Sequence, residues 1–141
     1  MLKAIGQELL LRKSEISDQV TTIYFGGGTP SLLGTDEINH IVELIASHYD
    51  VADHPEITLE ANPDDLSKST IEALALSRVN RLSIGVQSFF DQDLRYMNRA
   101  HDANQAKRSM ELAIKHFDNI SIDLIYGLPH LSEEKWVENL E

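Results

Sequence analysis

Four short runs rich in β-branched and aromatic residues, TTIYF (21–25), EITLEANP (56–63), RLSIGVQSF (81–89) and NISIDLIYGLP (119–129), recur along the chain, each followed by a stretch with helical spacing. No other feature limits the fold as tightly. Strands that are separated by helices and apolar at nearly every position make parallel sheets, with the crossover helices covering at least one face. Right-handed crossovers then place the C-terminal ends of all strands on one edge. Both β/α barrels and doubly wound sheets bind their ligands at that edge. The chain is therefore expected to be α/β, a leading helix followed by four strand–helix units, with no linker or second composition regime to mark another domain.

The helices have legible starts. Leu2, Ile5, Leu9, Leu10 and Ile16 fall at helical spacing over residues 2–16. Thr35 is the expected N-cap of a helix running to Tyr49, with Asp36 and Glu37 in its first turn and Ile38, Ile41, Val42, Leu44 and Ile45 on one face. Ser67 or Asp65 caps a helix ending at Leu76. Further helices are expected from Asp91, over Ala103–His116, and from Ser132 with Glu133 and Glu134 behind it.

Composition narrows the function. With 12 Lys and Arg against 23 Asp and Glu the net charge is −11, and the scattered cations leave a field that repels nucleic acid and anionic lipid. No apolar run approaches the roughly 20 residues that span a bilayer, and MLKAIGQELLLRKSE lacks a signal-peptide cleavage site, so a cytoplasmic protein is expected. Cysteine is absent. Disulfides, thiolate nucleophiles and Cys-held iron–sulfur clusters are thereby excluded within these residues.

At the strand ends a polar set collects: Gly26, Gly27, Gly28 and Thr29 after the first run, Glu60 and Asn62 at the second, Gln87 and Ser88 at the third, Asp123 in the fourth and Gly127 closing it. A polar group in an apolar strand must be hydrogen-bonded or face a ligand, and Glu60 and Asp123, set among apolar neighbours, would otherwise be buried at high cost. Singly, such a residue more often caps a loop or pairs with an arginine. The three glycines allow two explanations, a tight βα turn or the close approach of a ligand to bare backbone. They match neither GxGxxG nor the Walker pattern. Of the six histidines, His101 and His130 follow strand-end loops and merit testing, while the others read as surface residues. Met97 and Trp136 read as packing residues, and no spacing suggests a metal site or a catalytic residue.

YFGGGTPSLL, LEANPDD, NRLSIGVQSF, NRAH and SIDLIYGLP, in that order, resemble the radical S-adenosylmethionine enzymes of the oxygen-independent coproporphyrinogen III oxidase group, which includes relatives that serve as heme chaperones. The resemblance implies a partial (β/α) TIM-like barrel in which residues 1–141 form a central fragment, without the CxxxCxxC loop that holds the family's 4Fe-4S cluster. It implies that the Gly26–Pro30 stretch meets the amino group of methionine, that Glu60 contacts a first S-adenosylmethionine, and that Gly27, Gly28 and Thr29, with Gln87, Arg99 and Asp123, surround the nucleosides, some of them at a second S-adenosylmethionine site. In the family, reduction of the sulfonium yields a radical that takes hydrogen from a porphyrin propionate, which then loses carbon dioxide to leave a vinyl group. The alternative from the same resemblance is a chaperone with heme as cargo, and SLL with EANPDDL favours that branch. Porphyrin or heme is the implied partner, the electron donor stays open, and the open barrel edge implies self-association. Leu131 stands where the family usually has glutamine. A lyase or aldolase barrel binding phosphate at the glycines is a weaker alternative, since no strand carries a Schiff-base lysine.

Overall fold

The computed structural model describes all residues from Met1 to Glu141. Ten elements follow one another: α1 (Leu2–Leu11), β1 (Val20–Phe25), α2 (Thr35–His48), β2 (Val51–Ala61), α3 (Lys68–Ala75), β3 (Arg81–Gln87), α4 (Asp91–Tyr96), α5 (Ala103–Ala113), β4 (Ile120–Leu124) and α6 (Glu133–Leu140), with 3-10 turns at Lys13–Glu15 and Pro30–Leu32. The four strands form one sheet in the order β1-β2-β3-β4, every pair parallel. A doubly wound sheet reverses its strand order partway across, whereas unbroken sequential order is how a barrel wall is built.

Apolar residues of every strand fall on one face: Ile23, Ile57, Leu59, Ala61, Leu82, Ile84, Val86, Ile120, Ile122 and Leu124 pack in one cluster with Ile38 and Val42 of α2, Ile71 and Leu74 of α3, and Ala106 and Ala113 of α5. Leu59, Leu82, Ile84 and Val86 are fully buried. Each such side chain contributes about 1.5–3 kcal/mol through its removal from water. The opposite face is polar, so the expectation of strands apolar at nearly every position is corrected. Tyr24 pairs with Thr58 and Thr58 with Arg81, while Glu60 pairs with Ser83 and Ser83 with Ser121. Arg81 donates to Thr58 Oγ1 (3.2 Å) and Ser121 Oγ (2.9 Å), and Ser121 to Ser83 (3.2 Å).

Element ends follow from their hydrogen bonds. The α2 N-cap is Gly34 rather than Thr35; glycine has no capping side chain, and Glu37 instead reaches back to accept from the Gly34 N–H at 2.9 Å. Ser67 caps α3 by accepting from Thr70 N at 3.1 Å, and Asp102 caps α5 by accepting from Gln105 N at 2.7 Å. α1 stops at Leu11, short of Ile16, and buries none of its residues. β2 begins five residues before the expected Glu56, because Val51 pairs with Val20. β4 ends at Leu124 rather than Pro129, its last ladder bond being Ile125 N–H to the Gln87 carbonyl at 2.9 Å.

Candidate functional site

The C-terminal ends of the strands frame a polar cleft of about 160 Å³, lined by Gly28, Thr29, Pro30 and Ser31 after β1, Glu60, Ala61 and Asn62 at the end of β2, Ser83, Gly85 and Gln87 on β3, and Asp123 on β4. The topology explains this convergence, since parallel strands in sequential order deliver their last residues to one edge.

The three glycines have separate physical causes. A Cβ on Gly26 would lie 2.8 Å from a Tyr24 ring carbon and 3.1 Å from Glu60 Oε1, so its bareness admits the Tyr24 ring. Gly27 and Gly28 have φ of +82° and +66°, which disfavours any side chain, and a Cβ on either would meet nothing within 4 Å. The turn and the open approach, alternatives in the sequence, therefore coexist at two of the three positions.

Glu60 accepts two hydrogen bonds, from Tyr24 Oη to Oε1 and from the Gly27 N–H to Oε2, both at 3.0 Å. It is half-buried rather than fully enclosed, and Asp123 is exposed. Glu60 thus has the hydrogen-bond partners expected of a polar residue in a strand, while Asp123 incurs no burial cost, because both stand on the polar face, where alternate strand positions meet open space. Gln87 holds an unusual φ of +67°, at a break in the β3/β4 register between Ile84 and Gln87. A non-glycine residue in this left-handed region costs about 1–3 kcal/mol, which the surrounding structure must offset. A Cβ on Gly85 would stand 2.8 Å from Gln87 Nε2, so Gly85 makes room for that amide.

Arg99 does not line the cleft. Its guanidinium borders the cleft beside Gly85, Nη2 lying 3.5 Å from where a Gly85 Cβ would stand and donating to Asn62 Oδ1 at 2.7 Å and to the Gly85 carbonyl at 3.2 Å, and its Nε is buried without a partner. Ser88 also leaves the rim: it donates to Asp93 Oδ2 at 2.9 Å and accepts from Phe90 N–H at 3.1 Å. His101 is buried, with Nε2 3.0 Å from the Val86 carbonyl and Nδ1 3.6 Å from Asp64 Oδ1; the other five histidines, His130 included, are exposed. His130 lies edge-on to Tyr96 at 6.2 Å. Met97 and Trp136 are half-buried, Trp136 packing on Tyr126 at 6.0 Å.

Tyr24, Ser31, Ser83 and Gly85 escaped the sequence reading. Period-two alternation through β1 and β3 is the signal that would have found Tyr24 and Ser83.

The fold and cleft define an open parallel α/β sheet of the barrel type, with a polar cleft at its C-terminal edge beside a glycine turn. Residues 4–141 match the model of the radical SAM superfamily, and the chain belongs to that superfamily. Among curated relatives, a heme chaperone HemW of Lactococcus lactis is 42% identical over 125 residues, 88% of this chain and 33% of that protein. The mitochondrial radical S-adenosyl methionine domain-containing protein 1 of Bos taurus is 37% identical over 138 residues, 97% of this chain and 31% of that one. Among solved structures, the coproporphyrinogen III oxidase HemN of Escherichia coli superposes with a TM-score of 0.83 at 30% identity, covering 99% of this chain and 32% of that chain. The chain thus spans about a third of the length of the relatives it matches.

The residues present fit one of the two groups the superfamily implies. Open backbone at Gly27 and Gly28 beside Glu60, Gln87 and Asp123 suits a ligand with an amino acid end and hydroxyls, as S-adenosylmethionine has. They do not fit the 4Fe-4S cluster: the chain has no cysteine, and no three His, Asp or Glu side chains gather to hold a metal. No helix is long and apolar enough to cross a membrane.

Proposed function

We propose that the cleft is an S-adenosylmethionine site in a radical S-adenosylmethionine protein of porphyrin metabolism, with coproporphyrinogen III oxidation, the conversion of propionates to vinyl groups, as its chemistry. The observation that carries the reading is the pair of left-handed glycines with open space above them, set in one cleft with Glu60, Gln87 and Asp123. Bound there, S-adenosylmethionine supplies a sulfonium carbon–sulfur bond that opens when an electron arrives. Gly26, Gly27, Gly28 and Thr29 receive its amino acid end, Glu60 accepts from its ammonium or ribose hydroxyls, and Gln87 and Asp123 bind the polar edges of the nucleoside. Arg99 acts by fixing Asn62 and the β3 backbone beneath them. Thiolates for any iron–sulfur cluster serving this cleft come from outside residues 1–141.

A second reading, a heme chaperone in which the same site serves a carrier of heme, is favoured by the 42% identity to the Lactococcus HemW. On either reading the partner is a porphyrin or heme, and residues 1–141 form a single fragment of the radical S-adenosylmethionine barrel domain of a cytoplasmic protein. Calorimetric titration with S-adenosylmethionine tests the common part: Gly27→Val, which puts a β-branched side chain at φ +82°, should abolish binding. Unchanged affinity contradicts the assignment. Titration of the protein with hemin separates the two branches, a stoichiometric shift of the Soret band supporting the chaperone and its absence the oxidase.

A further inference from the structure

We propose that Tyr24 is a positioning residue for Glu60, acting with Gly26 and Gly27 as a clamp that presents one fixed carboxylate to the ligand of the cleft. The inference rests on the reading of the cleft as an S-adenosylmethionine site and adds the device that orients its carboxylate.

The clamp has three parts, each with its own geometric requirement. Gly26 must lack a side chain, because a Cβ there would stand 2.8 Å from a Tyr24 ring carbon. The ring so admitted brings its hydroxyl within 3.0 Å of Glu60 Oε1. Gly27, turned to φ +82°, brings its N–H within 3.0 Å of Glu60 Oε2. A carboxylate offers about four acceptor positions, two on each oxygen. The clamp fills one on each, and two remain for donors of the ligand, a match for an ammonium or paired ribose hydroxyls.

A side chain that served packing alone would not take this form. Tyr24 is 55% exposed on the polar face, so its ring contributes little to the core, which lies on the other side of the sheet. What the phenol supplies is a neutral donor to an anion. The Ser83 hydroxyl favours its ionised form, but the bond to Glu60, burial and the negative charges of Glu60 and Asp123 outweigh this and hold the phenol protonated above its ordinary range. The sign follows: Tyr24 donates at and well above neutral pH, and once it ionises it becomes an anion facing an anion and releases Glu60.

The test is S-adenosylmethionine titration by calorimetry between pH 7 and 11 on the protein, Tyr24→Phe, Gly26→Ala and the double variant. Hydrogen bonds to charged groups are strong enough that Tyr24→Phe should weaken binding about tenfold at neutral pH. It should also remove the part of the alkaline fall in affinity that follows Tyr24 ionisation, leaving only the limb set by the ligand's own ammonium, a change that loss of packing would not produce. Gly26→Ala should weaken binding comparably, and the double variant no further, because both break one contact. Tyr24→Phe with unaltered affinity and an intact alkaline limb overturns the inference. A second readout stands apart from cofactor binding: the ultraviolet titration of Tyr24, taken as the difference between the protein and Tyr24→Phe, should move to lower pH in Glu60→Gln. If the unaltered protein binds no S-adenosylmethionine while this shift appears, the cofactor reading fails and the clamp alone stands; an unshifted titration overturns the clamp.

Discussion

The two faces of the sheet are written by the same strands, yet they obey different rules. On one, Leu59, Leu82, Ile84 and Val86 are sealed under α2, α3 and α5. On the other, Tyr24, Glu60, Arg81, Ser83 and Ser121 bond to one another in rows. The apolar face holds the strands in place, and the polar face opens at the C-terminal edge into the cleft proposed to take the ligand. Stability and binding are thereby assigned to alternate residues of one backbone, so a change on one face should leave the function of the other largely intact.

Substitutions ordered by expected effect can break this division. Leu59→Ala removes a fully buried side chain from the apolar cluster and should destabilise by about 2–5 kcal/mol in denaturant unfolding. A loss below about 1 kcal/mol would show that the helix-covered face is not where stability resides. Asn139→Ala sharpens the comparison, because Asn139 is polar yet buried: its Oδ1 accepts from Phe89 N–H at 2.8 Å and docks α6 onto the β3–α4 turn. Leaving that N–H without an acceptor should cost about 1–3 kcal/mol. Ser121→Ala, on the polar face, leaves Arg81 its bond to Thr58 and should change stability by less than about 1 kcal/mol.

Element order, parallel pairing and the edge that carries the polar cleft were legible in the sequence, because strand–helix alternation and right-handed crossovers leave few arrangements. Five of the predicted site residues, Gly28, Thr29, Glu60, Gln87 and Asp123, line one cleft, with Gly26 and Gly27 beside it and Arg99 bordering it through Asn62 and Gly85. Less legible were features fixed by contacts distant in sequence. The first half of β2 contains His54 and Pro55, poor strand residues; it is extended because Val51 pairs with Val20, and because Asn80 donates to the Pro55 carbonyl at 2.8 Å and accepts from Ile57 N–H at 2.8 Å. Asp93 stands in the first turn of α4, where an acid ordinarily meets solvent. It is 1% exposed, bonded to Ser88, because the turn after β3 folds under α6. Gln87's left-handed backbone has no sequence signature, since that conformation belongs by propensity to glycine and asparagine.

The central claim is that ligand chemistry belongs to the polar face at the C-terminal edge, and amide chemical-shift mapping during S-adenosylmethionine titration tests it most directly. Perturbations should centre on Gly27, Gly28, Gln87 and Asp123, while Val51 and Ile120, at the opposite ends of their strands, stay unmoved. Shifts centred on the N-terminal ends of the strands or on α2, α3 and α5, with the glycine turn silent, would contradict it.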